Sequence, residues 1–106
     1  MVVVKMKEWN EQEIETKLSD AEEFWLYLYT PMCGTCQVAS KMITVVDELL
    51  TNVNIGKSDL NYLPGKAMEW QIESVPCLMH LKDGKVTKKY YAFHSVPYLL
   101  EILSKH

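Results

Sequence analysis

Two cysteines with two residues between them, Cys33 and Cys36, sit in the stretch YTPMCGTCQV (Tyr29–Val38). A pair at this spacing can do three things. It can clip a metal, staple a fold or exchange disulfides with a partner. The chain has only one further cysteine, Cys77, and His80 follows it as a C-x-x-H pair. An odd, small cysteine count argues against a secreted disulfide scaffold. In a reducing compartment a spaced pair is more often catalytic or metal-binding than structural.

Position within the elements separates these chemistries. FWLYLYT (Phe24–Thr30) is apolar on both alternating faces, as a strand covered on two sides must be. Pro31 stops it, and a helical pattern runs from Cys33 to Leu50, with Val38, Met42, Val45, Val46, Leu49 and Leu50 on its apolar side. Cys33 therefore falls where the strand ends and the helix begins. Unpaired N–H groups and the positive end of the helix dipole favour a thiolate there. Cys36 lies one turn further in, on the same side, more buried, within reach of a disulfide. This geometry suits exchange: Cys33 attacks and Cys36 resolves. Gly34 lets a bulky partner backbone approach, and Met32 offers a soft exposed contact. Two inert helix cysteines would sit mid-helix, whereas Pro31 and Gly34 mark a terminus.

The alternative is zinc or an iron–sulfur cluster held by Cys33, Cys36 and Cys77, with His80 as a fourth ligand. The obstacle is CLMHL, which reads as a strand. Residues three apart on a strand face opposite ways, so Cys77 and His80 diverge.

The remaining elements supply a frame. VVVKM (Val2–Met6) reads as a strand, and EWNEQEIETKLSDAEE as an amphipathic helix with Trp9, Ile14 and Leu18 inward. Val53–Leu60 is a further strand. A helix starts near Pro64 with Ala67, Met68 and Ile72 available to the core. VPCLMHL and VTKKYYAF form a hairpin around KDGK (Lys82–Lys85), and a last helix follows Ser95, its Leu99, Leu100, Ile102 and Leu103 apolar. The order β-α-β-α-β-α-β-β-α predicts an α/β fold, a central mixed sheet with helices on both faces, in one domain spanning 1–106.

The composition restricts partners. The chain has 106 residues, 48% hydrophobic and 24% charged, with net charge −3 and no basic stripe. Nucleic acid is not an expected partner. No window approaches the ~20 apolar residues of a membrane span, and the N-terminal run is too short for a signal-peptide core. A cytoplasmic, soluble monomer is expected.

Taken together, CGTC after a buried strand, SVPC forty residues downstream, the KDGK turn and the element order resemble the thioredoxin family over essentially the whole chain. The wording around CGTC is similar to small stand-alone members from Gram-positive bacteria. The resemblance implies a thioredoxin fold and thiol–disulfide exchange on protein disulfides. It implies no cofactor, no metal, and a thiol or flavoprotein reductase as electron donor. It implies a cis Val75–Pro76 turn facing the pair, with Val75 and Pro76 pairing the substrate backbone beside Met32, Gly34 and Thr35. Lys57 takes the place of a lysine beneath the site. The chain departs from general reductases of the family at several positions. Met32 stands for Trp, Thr35 for Pro, Lys41 for the helix proline and Ala92 for a late glycine. Tyr27 stands for the buried Asp that accepts a proton from the resolving thiol. Cys77 occupies a position usually held by Thr, and is expected within a few ångströms of the pair. Tyr27, Lys57 and Cys77 are thus expected to modulate it.

Overall fold

The computed structural model describes residues 6–105. Five strands, β1 (Lys7–Glu8), β2 (Phe24–Tyr29), β3 (Ile55–Asp59), β4 (Cys77–Lys82) and β5 (Lys85–Tyr90), form one sheet in the order β1-β3-β2-β4-β5. β3 runs parallel to β1 and β2, while β4 is antiparallel to β2 and β5. Among the described residues there are four α-helices, α1 (Glu11–Ser19), α2 (Gly34–Leu49), α3 (Pro64–Glu69) and α4 (Val96–Ser104), with a short 3-10 turn at Leu60–Tyr62. The observed order is the one expected. The expected first strand, Val2–Met6, lies outside the described residues except for Met6, and pairing is described only for Lys7–Glu8.

The central strand β2 explains the layering. Its residues alternate between two apolar clusters. Trp25 and Tyr27 join Ala39, Ile43 and Val46 of α2 and Leu99 and Leu103 of α4. Phe24, Leu26 and Leu28 join Ile14 of α1 together with Leu63 and Trp70, which flank α3. Period-two alternation of residues that are all apolar requires cover on both faces, and the helices supply it.

Local signals set the ends of the elements. Asn10 caps α1 and exchanges bonds with Glu13 in a capping box. Ser95 caps α4 through the Tyr98 N–H. In the β4–β5 hairpin Asp83 and Gly84 both have positive φ, 54° and 75°, the condition for a tight turn that matches strand twist. Gly56 of β3 is dictated by packing, because a Cβ there would lie 2.3 Å from the Trp9 ring. That ring is buried, edge-on to Phe24 at 5.6 Å.

Two sequence expectations are corrected. The apolar side expected for α2 meets the core only in part: Val46 is buried and Met42 and Leu50 pack against the core, but the other three expected residues do not. Val38 is 61% exposed and Leu49 59%, with Val45 exposed as well, while Cys36, Ala39, Ile43 and Val46 are buried. The helix carries apolar residues on two stripes, and periodicity alone does not say which one meets the sheet. In α3, Met68 is 82% exposed and Lys66 takes the inward place. The Lys66 ammonium lies over the Trp70 ring, 5.7 Å from its centroid, and ion-pairs with Glu15 and Glu69.

Candidate active site

Cys33 is the N-cap of α2, with extended backbone (φ −130°, ψ 109°), and its sulfur accepts the Cys36 N–H at 3.2 Å. A sulfur at that position meets an unpaired backbone donor and the positive end of a 16-residue helix. Both stabilise a thiolate. Thr35 Oγ1 lies 3.3 Å from the same sulfur and can donate to it. The Cys33 and Cys36 sulfurs close at disulfide distance, with Cα atoms 5.2 Å apart. Cys33 is half-buried and Cys36 is buried, so the first sulfur is the one a partner can reach.

The surroundings of the pair come from two loops. Met32 is 96% exposed beside Cys33. At Gly34 a Cβ would meet nothing within 4 Å, so the surface there is open. Across the site the Val75–Pro76 peptide is cis, and the Val75 carbonyl oxygen lies 3.9 Å from Cys33 Sγ.

Beneath the pair, Tyr27 is fully buried. Its hydroxyl donates to the Cys36 carbonyl at 3.0 Å and pairs with Ser40 Oγ at 2.7 Å. Burial pushes its pKa above the usual tyrosine value, with the Ser40 bond opposing. Tyr27 is thus a neutral donor and no proton acceptor near neutral pH. Lys57, its neighbour across β3, lies over the Tyr29 ring at 5.8 Å. The Tyr29 hydroxyl in turn donates to Glu8.

Cys77 and His80, the other cysteine and its C-x-x-H partner, face opposite sides of the sheet. Cys77 is fully buried at the start of β4, opposite Leu28, and packs into the cluster on the α1 side of the sheet. Burial pushes its pKa up to about 11, with the Lys89 charge and the Tyr91 hydroxyl opposing. It is a free cysteine, with no disulfide to the pair. His80 faces the other way, against Trp25 at 4.9 Å. Its Nε2 meets Glu23 at 2.8 Å and its Nδ1 meets Thr87 at 2.5 Å, so both ring nitrogens are engaged. The four-ligand metal set therefore does not assemble. Among the described residues no three His, Cys, Asp or Glu side chains are grouped so as to hold a metal ion. Ser40 was missed by the sequence reading. The available signal was its spacing, four residues after Cys36 and so above it on the helix.

A family model described as Thioredoxin matches residues 3–105. A thioredoxin-like protein of Bacillus subtilis, YusE, is 50% identical over 100 residues, covering 94% of this chain and 92% of that protein. A thioredoxin of Staphylococcus haemolyticus is 32% identical over 111 residues, covering 100% of this chain and 99% of its own length. Among solved structures, a mutant thioredoxin from Halobacterium salinarum superposes with a TM-score of 0.80 at 18% identity, covering 95% of this chain and 89% of that one. Chloroplastic thioredoxin z gives 0.80 at 17%, covering 99% and 96%. These two likenesses speak for the fold.

Proposed function

The chain belongs to the thioredoxin family and is a thiol–disulfide oxidoreductase, and on that premise we propose that Cys33 attacks and Cys36 resolves protein disulfides in a small, monomeric, cytoplasmic reductant. The observation that carries the reading is the capped sulfur. Cys33 Sγ receives the Cys36 N–H at the start of α2, within bonding distance of Cys36 Sγ.

The exchange proceeds in two displacements. The Cys33 thiolate attacks one sulfur of the substrate disulfide. A Cys33–substrate bond forms, the substrate S–S bond breaks, and the departing sulfur takes a proton from water. Cys36 then loses its proton and attacks Cys33 Sγ. The mixed disulfide breaks, the second substrate sulfur leaves, and the Cys33–Cys36 disulfide remains. Two electrons have passed to the substrate. A thiol or a flavoprotein reductase restores the dithiol by the reverse sequence.

Substrate backbone is expected to lie extended along Val75 and Pro76, pairing with the main chain there as an added strand. Met32, Gly34 and Thr35 border the same approach. Met32 supplies an adaptable apolar contact, while Gly34 leaves space for the incoming chain. Lys57 supports the floor of the site through Tyr29. Among the described residues no helix is long and apolar enough to cross a membrane.

The test is catalytic reduction of insulin disulfides with dithiothreitol as electron source, using protein treated with chelator. Turnover above the dithiothreitol background, unchanged by chelation, is the expected result. Absence of turnover in folded protein, or turnover lost with chelation, would overturn the reading.

A further inference from the structure

Tyr27 has a single hydroxyl hydrogen, and it is directed to the Cys36 carbonyl at 3.0 Å. The 2.7 Å contact between the Tyr27 and Ser40 hydroxyls must then run the other way, with Ser40 donating to the Tyr27 oxygen. The result is a directed chain from Ser40 through Tyr27 to the backbone of Cys36. Cys36 is held at both ends: its carbonyl by this chain, its N–H by the bond to Cys33 Sγ.

We propose that Ser40 and Tyr27 are positioning residues for the Cys33 thiolate, acting through the backbone of Cys36. The inference rests on Cys33 being the attacking thiol. A hydrogen bond to a sulfur anion weakens steeply when the donor tilts or withdraws. The first turn of a helix lacks the full set of intrahelical bonds and is free to fray. An outside donor on the Cys36 carbonyl limits that freedom. It fixes where the Cys36 N–H points when the disulfide opens and Cys33 becomes an anion. Successive hydroxyl donors polarise one another, so Ser40 strengthens the bond that Tyr27 makes. Tyr27 reaches from β2 to Ser40 on α2, and with Tyr27 fully buried and Ser40 half-buried, water has limited access to either bond. Tyr27 remains a donor throughout the working pH range, because burial holds it protonated.

The experiment is the pH titration of Cys33 in the fully reduced protein, read by its alkylation rate with peptide mapping. Tyr27→Phe, Ser40→Ala and Ser40→Thr are compared with the parent. Tyr27→Phe should raise the Cys33 pKa by about 0.5 unit, roughly threefold less thiolate at pH 6, as expected for weakening one charge-assisted bond. Ser40→Ala should shift it the same way by less, and Ser40→Thr should restore the parent value. The double variant should shift no further than Tyr27→Phe alone, because both substitutions break one chain. Titrations identical to the parent in folded single variants would overturn the positioning chain. So would fully additive shifts, or a shift in Ser40→Thr as large as in Ser40→Ala. Far-UV and near-UV spectra confirm folding. Should Tyr27→Phe fail to fold, the two Ser40 variants alone decide the matter. A parent Cys33 that titrates at the ordinary thiol value would count instead against the functional reading.

Discussion

Cys36→Ser should accumulate a covalent complex with disulfide-bearing partners, while Cys33→Ser accumulates none and loses turnover. The asymmetry follows from exposure and position. Cys33 is the half-buried N-cap with a donor on its sulfur, and Cys36 is buried inside the first turn. On the proposed roles, Cys33, half-buried beside the open surface at Gly34, is the sulfur that meets the substrate. Once the mixed disulfide forms, its release depends on a second thiol close by, and the pair is already at disulfide distance. Serine at Cys36 removes that thiol without opening the helix cap, so the complex persists until an outside reductant cleaves it. Serine at Cys33 removes the nucleophile, and turnover should fall by about three orders of magnitude or more, to the level of dithiothreitol alone. Non-reducing electrophoresis with reduction-sensitive adducts reads both outcomes. Equal trapping by the two variants would contradict the division of labour.

Tyr27→Asp should move stability and mechanism in opposite directions. The ring is fully buried, near Phe93 at 5.7 Å and stacked on Tyr29 at 5.8 Å. Removing it and burying a carboxyl there should cost about 3–5 kcal/mol in the folded state. Burial should also raise the new carboxyl's pKa above its unfolded value of ~3.9. The sign of the pH dependence follows: the folded variant then binds the proton more tightly than the unfolded chain. Its stability should be highest below about pH 4 and fall as pH rises through the folded-state pKa. Urea denaturation at acid and neutral pH measures this. Above that pKa the carboxylate can accept the proton of Cys36, which Tyr27 does not do. Resolution of a preformed mixed disulfide should then become faster near pH 7 than in the parent, whose rate should climb with pH until Cys36 itself ionises. A folded variant with an unchanged resolution rate would mean that the absent acid does not limit this step.

Much of this site was readable in the chain because its signals are local. A buried aromatic strand, a proline stop and two cysteines one turn apart leave little choice about where the thiols sit. The alternation of strands and helices likewise left few ways to cover both faces of β2. What the sequence did not reveal depends on tertiary contacts. The inward face of α2 is only half readable, because Val38, Val45 and Leu49 make an apolar stripe as regular as the one through Ala39, Ile43 and Val46. Lys66 is buried only because Trp70 and Glu15 converge on it. Cys77 and Ser40 illustrate the same limit within the site. Cys77 directly follows the Val75–Pro76 turn, yet the pleat sends its side chain to Tyr91 on the α1 side. Ser40 is an unremarked small polar residue until the fold brings Tyr27 beneath it.

The most direct measurement of the central claim is the alkylation rate of each cysteine against pH in the reduced, folded protein, with sites resolved by peptide mass. Cys33 should react fastest and titrate well below the ~8.5 of a free thiol. Cys36 should react more slowly and at higher pH. Cys77, buried with its pKa near 11, should stay silent until the protein unfolds. A Cys36 that reacts faster or titrates lower than Cys33 would contradict the assignment of Cys33 as the attacking thiol.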